Sequence, residues 1–203
     1  MPRDDDLRQH IAQQLSSFEP REATGDPLRE AAVCVVIAHR ADEPVVLMEK
    51  RAPSLRAHAG QFALPGGRID AGETPQEAAL RELHEELGIA ASADAVLGRL
   101  DDFATRSGYL IRPFVVWAGD VLDEVVLNPA EVAVLHQITL PQLDAEPRFV
   151  EQRGLGEPVF QWPFEDYWIH APTAAILHQF REVVLHGRST RVAHFEQPKF
   201  AWK

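Results

Sequence analysis

Cysteine is nearly absent: one residue in 203, Cys34, and it lies inside the apolar run AAVCVVIA. A disulfide framework and a cysteine-rich zinc site are therefore both excluded. An apolar strand raises a thiol's pKa and hides it, so Cys34 reads as a packing residue, not a nucleophile. Basic residues are also scarce, 20 Lys and Arg against 31 Asp and Glu, for a net charge of −11. Non-specific nucleic-acid binding, which neutralises phosphates with Lys and Arg, is not expected of such a chain. A small phosphate-bearing substrate is not excluded, because a bound cation and local arginines can bridge an acidic protein and an acidic ligand. No apolar run reaches the length that spans a bilayer, and the acidic, polar N-terminus does not read as a signal peptide. The expectation is a cytoplasmic protein with no membrane partner. Internal repeats and low-complexity tracts are missing as well.

What is present suits one domain with additions at both ends. A chain of 203 residues with 45% hydrophobic content can bury one substantial core. Residues 1–27 are read as a front helix and linker, 28–187 as the domain, and 188–203 as a tail. In DDDLRQHIAQQLSSF, residues 4–18, a cluster of Asp suited to a helix N-terminus precedes Leu7, Ile11, Leu15 and Phe18 on one side. The stretch from Pro20 to Pro27 reads as the linker. Strands are predicted at about 31–38, 45–49, 95–103, 109–117 and 132–138, where apolar and β-branched runs end at turn residues. A last helix is predicted at about 172–185, with Ile176, Leu177, Phe180, Val183 and Val184 apolar. This mixture gives an α/β sandwich. The tail carries Phe195, Phe200 and Trp202, and is expected to pack on the domain or on a partner subunit of a homodimer.

Chemistry concentrates in GRIDAGETPQEAALRELHEELGI, residues 67–89. Thr74 as N-cap, Pro75 in the first turn and Glu77 at the third position form a capping box. Gly88 stops the helix, since glycine enters the left-handed conformation without steric penalty. Between these ends Glu82, Glu85 and Glu86 fall in one stripe, while Leu80, Leu83 and Leu87 fall on another face. Like charges so placed weaken a helix, and a divalent cation reverses that sign. Hard oxygen donors suit Mg²⁺ or Mn²⁺, which bind substrate phosphate at their open positions. An acidic helix face alone is as readily a solvated surface. The turn at Gly66-Gly67, Glu73 at the loop end, and Arg81, whose guanidinium can clamp a carboxylate, favour a metal platform.

Gly67, Glu73, Arg81-Glu82-Leu83, Glu85-Glu86 and Gly88-Ile89 resemble the Nudix box at every fixed position. The resemblance implies an α/β/α sandwich with a mixed sheet, extended here by an N-terminal helix and by a C-terminal helix and tail. It also implies Mg²⁺ or Mn²⁺, and hydrolysis of a nucleoside diphosphate linked to another group. Carried over, Gly67 (through its carbonyl), Glu82, Glu85 and Glu86 are the metal ligands, and Glu73 pairs with Arg81 to hold loop against helix. The catalytic set is Glu85, Glu86, Arg81 and Glu131. The general base is either Glu85 or Glu131, the latter in NPAEVA, since the family often recruits a later carboxylate.

Upstream, LMEKRAPSLRAHAGQFALPGG from Leu47 to Gly67 resembles the coenzyme A pyrophosphatase branch through Arg51, Ala52, Arg56, Gly60 and Leu64-Pro65-Gly66-Gly67. Leu64 stands where that branch has Phe, and Leu47-Met48-Glu49 stands where it has Leu-Leu-Thr. SGYLIRPFV at 107–115 and NPAEVA at 128–133 are similar to it too. Arg51 and Arg56 sit in a strand-to-loop stretch where guanidinium groups fit an anionic ligand irrespective of family, and with Gly66 they are the substrate-binding candidates. His58 reads as a loop residue bonding locally. The function this implies is cleavage of coenzyme A or its derivatives. The alternatives are a hydrolase of ADP-ribose, NADH or another nucleotide sugar or dinucleotide, and a non-catalytic nucleotide-binding module.

Overall fold

Side chains alternate across a strand, so a strand buried on both faces must be apolar almost throughout. That is why AAVCVVIA can be central. In β1 (Arg29–Arg40), Ala32, Cys34, Val36 and Ala38 pack into one core layer, and Val35 and Ile37 into the other. The computed structural model describes residues 4–23, 28–41, 43–55, 58–151 and 157–198. In it β1 pairs antiparallel with β2 (Glu43–Arg51) and β4 (Gly66–Arg68), and parallel with β7 (Tyr109–Gly119). With β3 (Phe62–Ala63), β5 (Val96–Arg99), β6 (Phe103–Ala104) and β8 (Val132–Thr139) they make an eight-stranded mixed sheet, ordered β3-β2-β1-β7-β5. On its flanks, β4 joins β1, β6 joins β7 and β8 joins β2.

Helix α2 (Pro75–Leu87) covers one face, burying Ala78, Ala79, Leu83 and Leu87 against Cys34, Leu47 and Val116. Its start is fixed by the capping box: Glu77 N–H donates to the Thr74 hydroxyl, and Thr74 N–H to the Glu77 carboxylate. Its end is fixed by Gly88, at φ 72°. The opposite face is covered by α1 (Asp4–Ser16), through Ile11 and Leu15 with Phe18 just beyond, by the one-turn α3 (Leu140–Leu143) through Leu143, and by α4 (Thr173–Phe180). The predicted last helix is thus two pieces, since α4 continues as a π-helical turn over Arg181–Leu185. The layers form the α/β/α sandwich.

The single strand predicted at 95–103 is broken into β5 and β6. Asp101 and Asp102 are the physical reason. Both are buried, and their carboxylates accept from Arg21 N–H (2.7 Å), Ala23 N–H (3.3 Å) and Gln179 Nε2 (2.8 Å), so the chain turns to reach these donors. A small second sheet, β9 (Arg148–Val150), β10 (Val159–Phe164) and β11 (Tyr167–His170), was not predicted. It runs into the tail, where Phe195 stacks on Phe160 at 4.4 Å and Glu196 pairs with Arg106. Arg56, Phe200, Trp202 and the 24–27 part of the predicted linker lie outside the described residues. Among those described, no helix is long and apolar enough to cross a membrane.

Candidate active site

Four carboxylates converge where α2 meets the edge of β2. Glu82, Glu86 and Glu131 each bring an oxygen within 4.8 Å of the others. Glu82 and Glu86 share a stripe because they are one turn apart. Glu131 arrives from a distant segment, carried by two backbone hydrogen bonds. Asn128 N–H donates to the Glu86 carbonyl at 2.9 Å, hanging the NPAEVA loop on the end of α2, and Ala52 N–H donates to the Glu131 carbonyl at 2.7 Å. The fourth acid, Glu49, stands in β2 on the side of Leu47, and its side chain is completely buried.

Gly66 and Gly67 bring the β4 strand against this cluster. Gly66 N–H donates to Glu86 Oε2 at 2.8 Å. A Cβ on Gly67 would stand 2.3 Å from Glu82 Oε1, so a larger residue there would push that carboxylate away. On the other side Arg81 works as a fork. Its Nε and Nη2 donate to the two oxygens of Glu73 at 2.9 and 3.1 Å, and its Nη2 also donates to the Arg68 carbonyl at 3.0 Å. Its Nη1 holds Glu82 at 2.8 Å and Glu85 at 3.0 Å. Glu85 is the exposed member of the stripe and lies outside the three-acid cluster.

Burial sets the electrostatics. Glu86 is pushed up to about 9, first by loss of solvent and then by the charge of Glu49. Glu49 is raised to about 7, again chiefly by burial, with Arg51 opposing and Glu131 and Glu82 adding. Glu82 is also raised, with desolvation the largest cause and Arg81 opposing it. Arg51 is the only cation described near the buried pair: its Nη1 stands 3.5 Å from Glu49 Oε1 and 3.7 Å from Glu86 Oε1. Both distances are longer than a normal hydrogen bond, and among the described residues neither oxygen of Glu49 has a hydrogen-bond partner. Buried acids this poorly satisfied are costly unless a cation joins them. All the donors are hard oxygens, which suits Mg²⁺ or Mn²⁺.

The cluster borders a cleft of about 850 Å³ on the opposite face of the sheet, shared through Arg51, Gly66 and Gly67. His58, at φ 56°, bonds Gln61 Oε1 through Nδ1 at 3.2 Å and lines that cleft. Sequence reasoning missed Glu49 as a member of the site, although a Glu in the strand VVLMEK, two residues from a core Leu, signals a buried acid. It also missed Arg29, Arg68, Tyr109 and Trp168 of the cleft wall, which only the sheet register brings together. Cys34 donates to the Ala79 carbonyl at 3.3 Å, and burial pushes its thiol far up, consistent with packing alone.

Residues 28–159 match the NUDIX domain family. The chain belongs to the Nudix family. Two relatives carry the name Nudix hydrolase NudL and are described as uncharacterized. The one from Yersinia enterocolitica is 37% identical over 161 residues, spanning 76% of this chain and 80% of the relative. The one from Photorhabdus laumondii is 34% identical over 176 residues, spanning 84% and 93%. Among solved structures, a MutT protein from Methanosarcina mazei aligns with TM-score 0.52 at 19% identity, over 79% of this chain and 97% of that one. RenU, a Nudix hydrolase from M. smegmatis, aligns with TM-score 0.52 at 23% identity, over 83% and 93%. The solved structures show the Nudix fold, the family match and the NudL relatives support the hydrolase class, and Nudix hydrolases generally use divalent metals such as Mg²⁺ or Mn²⁺.

Proposed function

We propose that this Nudix hydrolase cuts the diphosphate of a nucleoside diphosphate linked to another group, with coenzyme A and its derivatives as substrates. The observation that carries the reading is the meeting of Glu82, Glu86 and Glu131 within 4.8 Å beside an arginine-lined cleft. Support for coenzyme A comes from Arg51, Ala52, Gly60 and the Pro65-Gly66-Gly67 turn. Leu64 and Glu49 depart from that branch's pattern.

Glu82, Glu86 and Glu131, with the Gly67 backbone pressed against Glu82, would hold Mg²⁺ or Mn²⁺. Held by these residues, such an ion would supply Lewis acidity and lower the pKa of a water. The residues do the positioning. Gly66 N–H keeps Glu86 turned inward, and Arg81 ties the loop at Glu73 to the stripe. Arg51 faces both the acids and the cleft, where its guanidinium can neutralise charge on the leaving phosphate. The base assignment falls to Glu85, the acid left outside the cluster. It is exposed, so leaving Arg81 costs it little.

The test is a panel of coenzyme A, ADP-ribose, NADH and nucleoside triphosphates incubated with purified protein and Mg²⁺, with products identified by mass. Coenzyme A should yield adenosine 3′,5′-bisphosphate and phosphopantetheine. If coenzyme A is left whole while another member is consumed, the substrate assignment falls. If nothing in the panel is consumed, the coenzyme A assignment falls together with the ADP-ribose and NADH alternatives.

A further inference from the structure

The cleft beside the acids is the reverse of the rest of the molecule. The chain carries 31 acids against 20 bases. Yet the described residues lining the cleft include three arginines, Arg29, Arg51 and Arg68, and no Asp or Glu. Two of these arginines are gathered on one aromatic ring. Arg29 Cζ lies 4.0 Å from the centre of the Tyr109 ring, and Arg68 Cζ lies 5.7 Å from it. Both forks are oriented by neutral groups. Arg29 Nη2 donates to the Ser107 carbonyl at 2.8 Å, and Arg68 Nη2 and Nε donate to the Tyr109 hydroxyl at 2.8 and 3.2 Å. Neither has a carboxylate partner among the described residues. Like charges held around one ring without a counter-ion repel, and an anionic ligand removes that cost.

We infer that Arg29, Tyr109 and Arg68 form a subsite for a phosphomonoester that the substrate carries in addition to the diphosphate being cut. The register of β1 supplies the spacing. Gly67, which abuts Glu82, pairs with Ala32, whereas Tyr109 pairs with Arg29, three residues further along β1. Three rises of a strand are roughly 10 Å. Arg68 directly follows Gly67 in β4, so the clamp starts beside the acids and reaches along the cleft wall to Arg29 and Tyr109, far enough to hold a phosphate beyond the scissile diphosphate. A phosphomonoester carries about −1.5 to −2 charge at neutral pH and three strong acceptor oxygens, which matches two guanidinium forks and the tyrosine hydroxyl proton. The subsite rests on the proposal that the scissile diphosphate binds at Glu82, Glu86 and Glu131.

The test compares two probes that differ only in that group: adenosine 3′,5′-bisphosphate and adenosine 5′-monophosphate, titrated calorimetrically into the full chain with Mg²⁺ present. The bisphosphate should bind at least about tenfold more tightly, and Arg29→Gln with Arg68→Gln should bring the two affinities together. Tyr109→Phe should lose part of the difference. Both arginines are exposed at the cleft wall, so an unchanged unfolding midpoint is expected in the double variant. Equal affinities in the wild type overturn the subsite, as does an equal loss for both probes in the double variant, which would mean that the arginines grip the base or the shared phosphate. Failure of the substrate reading is distinct. If coenzyme A is left whole while the arginine-dependent discrimination persists, the coenzyme A assignment falls and the subsite stands for another diphosphate that bears a phosphomonoester; cleavage of ADP-ribose alone, which bears none, overturns both.

Discussion

Metal binding to this protein should release protons, and the buried acids set the scale. Without an ion, Glu86 is pushed up to about 9, so at neutral pH its carboxyl holds a proton in the folded chain. A divalent cation needs the carboxylate and must displace that proton. The apparent association constant should then rise about tenfold per pH unit, or about a hundredfold between about pH 7 and 9, and flatten above that. Below neutrality Glu49, raised to about 7, holds a proton as well, and a cation beside it should drive off that second proton and steepen the dependence there. Stability moves the opposite way in the metal-free protein. A carboxyl raised above its unfolded value gives stability that is complete below the unfolded pKa and is lost as pH rises through the folded one. The metal-free unfolding midpoint should therefore fall between about pH 5 and 9, and saturating Mn²⁺ should remove that fall. The assay is calorimetric titration with Mn²⁺ across this range, in pairs of buffers of different ionisation enthalpy, which counts the protons released. Glu49→Gln should shift the proton-release step to lower pH, and Glu86→Gln should abolish it. An affinity that stays flat from about pH 7 to 9 with no proton released would refute the reasoning.

Glu86→Gln and Glu131→Gln should each lower kcat by about a hundredfold or more while weakening Mn²⁺ binding in titrations, whereas Glu85→Gln should lower kcat and leave Mn²⁺ affinity near normal. Arg81→Lys keeps the charge but loses the fork onto Glu73, and should cost about 1–3 kcal/mol of stability in urea unfolding. Leu83→Ala, fully buried under α2, should cost about 2–5 kcal/mol in the same measurement, and a loss below about 1 kcal/mol would contradict its place in the core.

Helix α2 was legible to the residue because its signals are local: a Thr-Pro start, a Gly stop and a period set by backbone geometry. The front helix and the central strands were legible for the same reason, since amphipathic and apolar runs declare themselves within a few positions. The single strand predicted at 95–103 failed because Asp101 and Asp102 spend their carboxylates on donors about eighty positions away in sequence, which no window can see. The cleft clamp was hidden similarly. Arg29, Arg68 and Tyr109 become neighbours only through the parallel pairing of β1 with β7 and the antiparallel pairing of β1 with β4. Glu131 was half legible: the motif marked it, but its approach to Glu82 and Glu86 depends on backbone bonds from Asn128 and Ala52.

The Gly66-Gly67 segment is a partition one backbone thick, with the carboxylates and the Arg81 fork that ties them on the helix side, and Arg29 and Arg68, which have no carboxylate partner among the described residues, on the cleft side. A ligand laid across so polarised a border has one seating, and reversing it end for end would set anion against anion. On the proposed diphosphate substrate such a seating would offer one phosphorus atom to water, and hydrolysis in oxygen-18 water should then leave the heavy isotope in a single product.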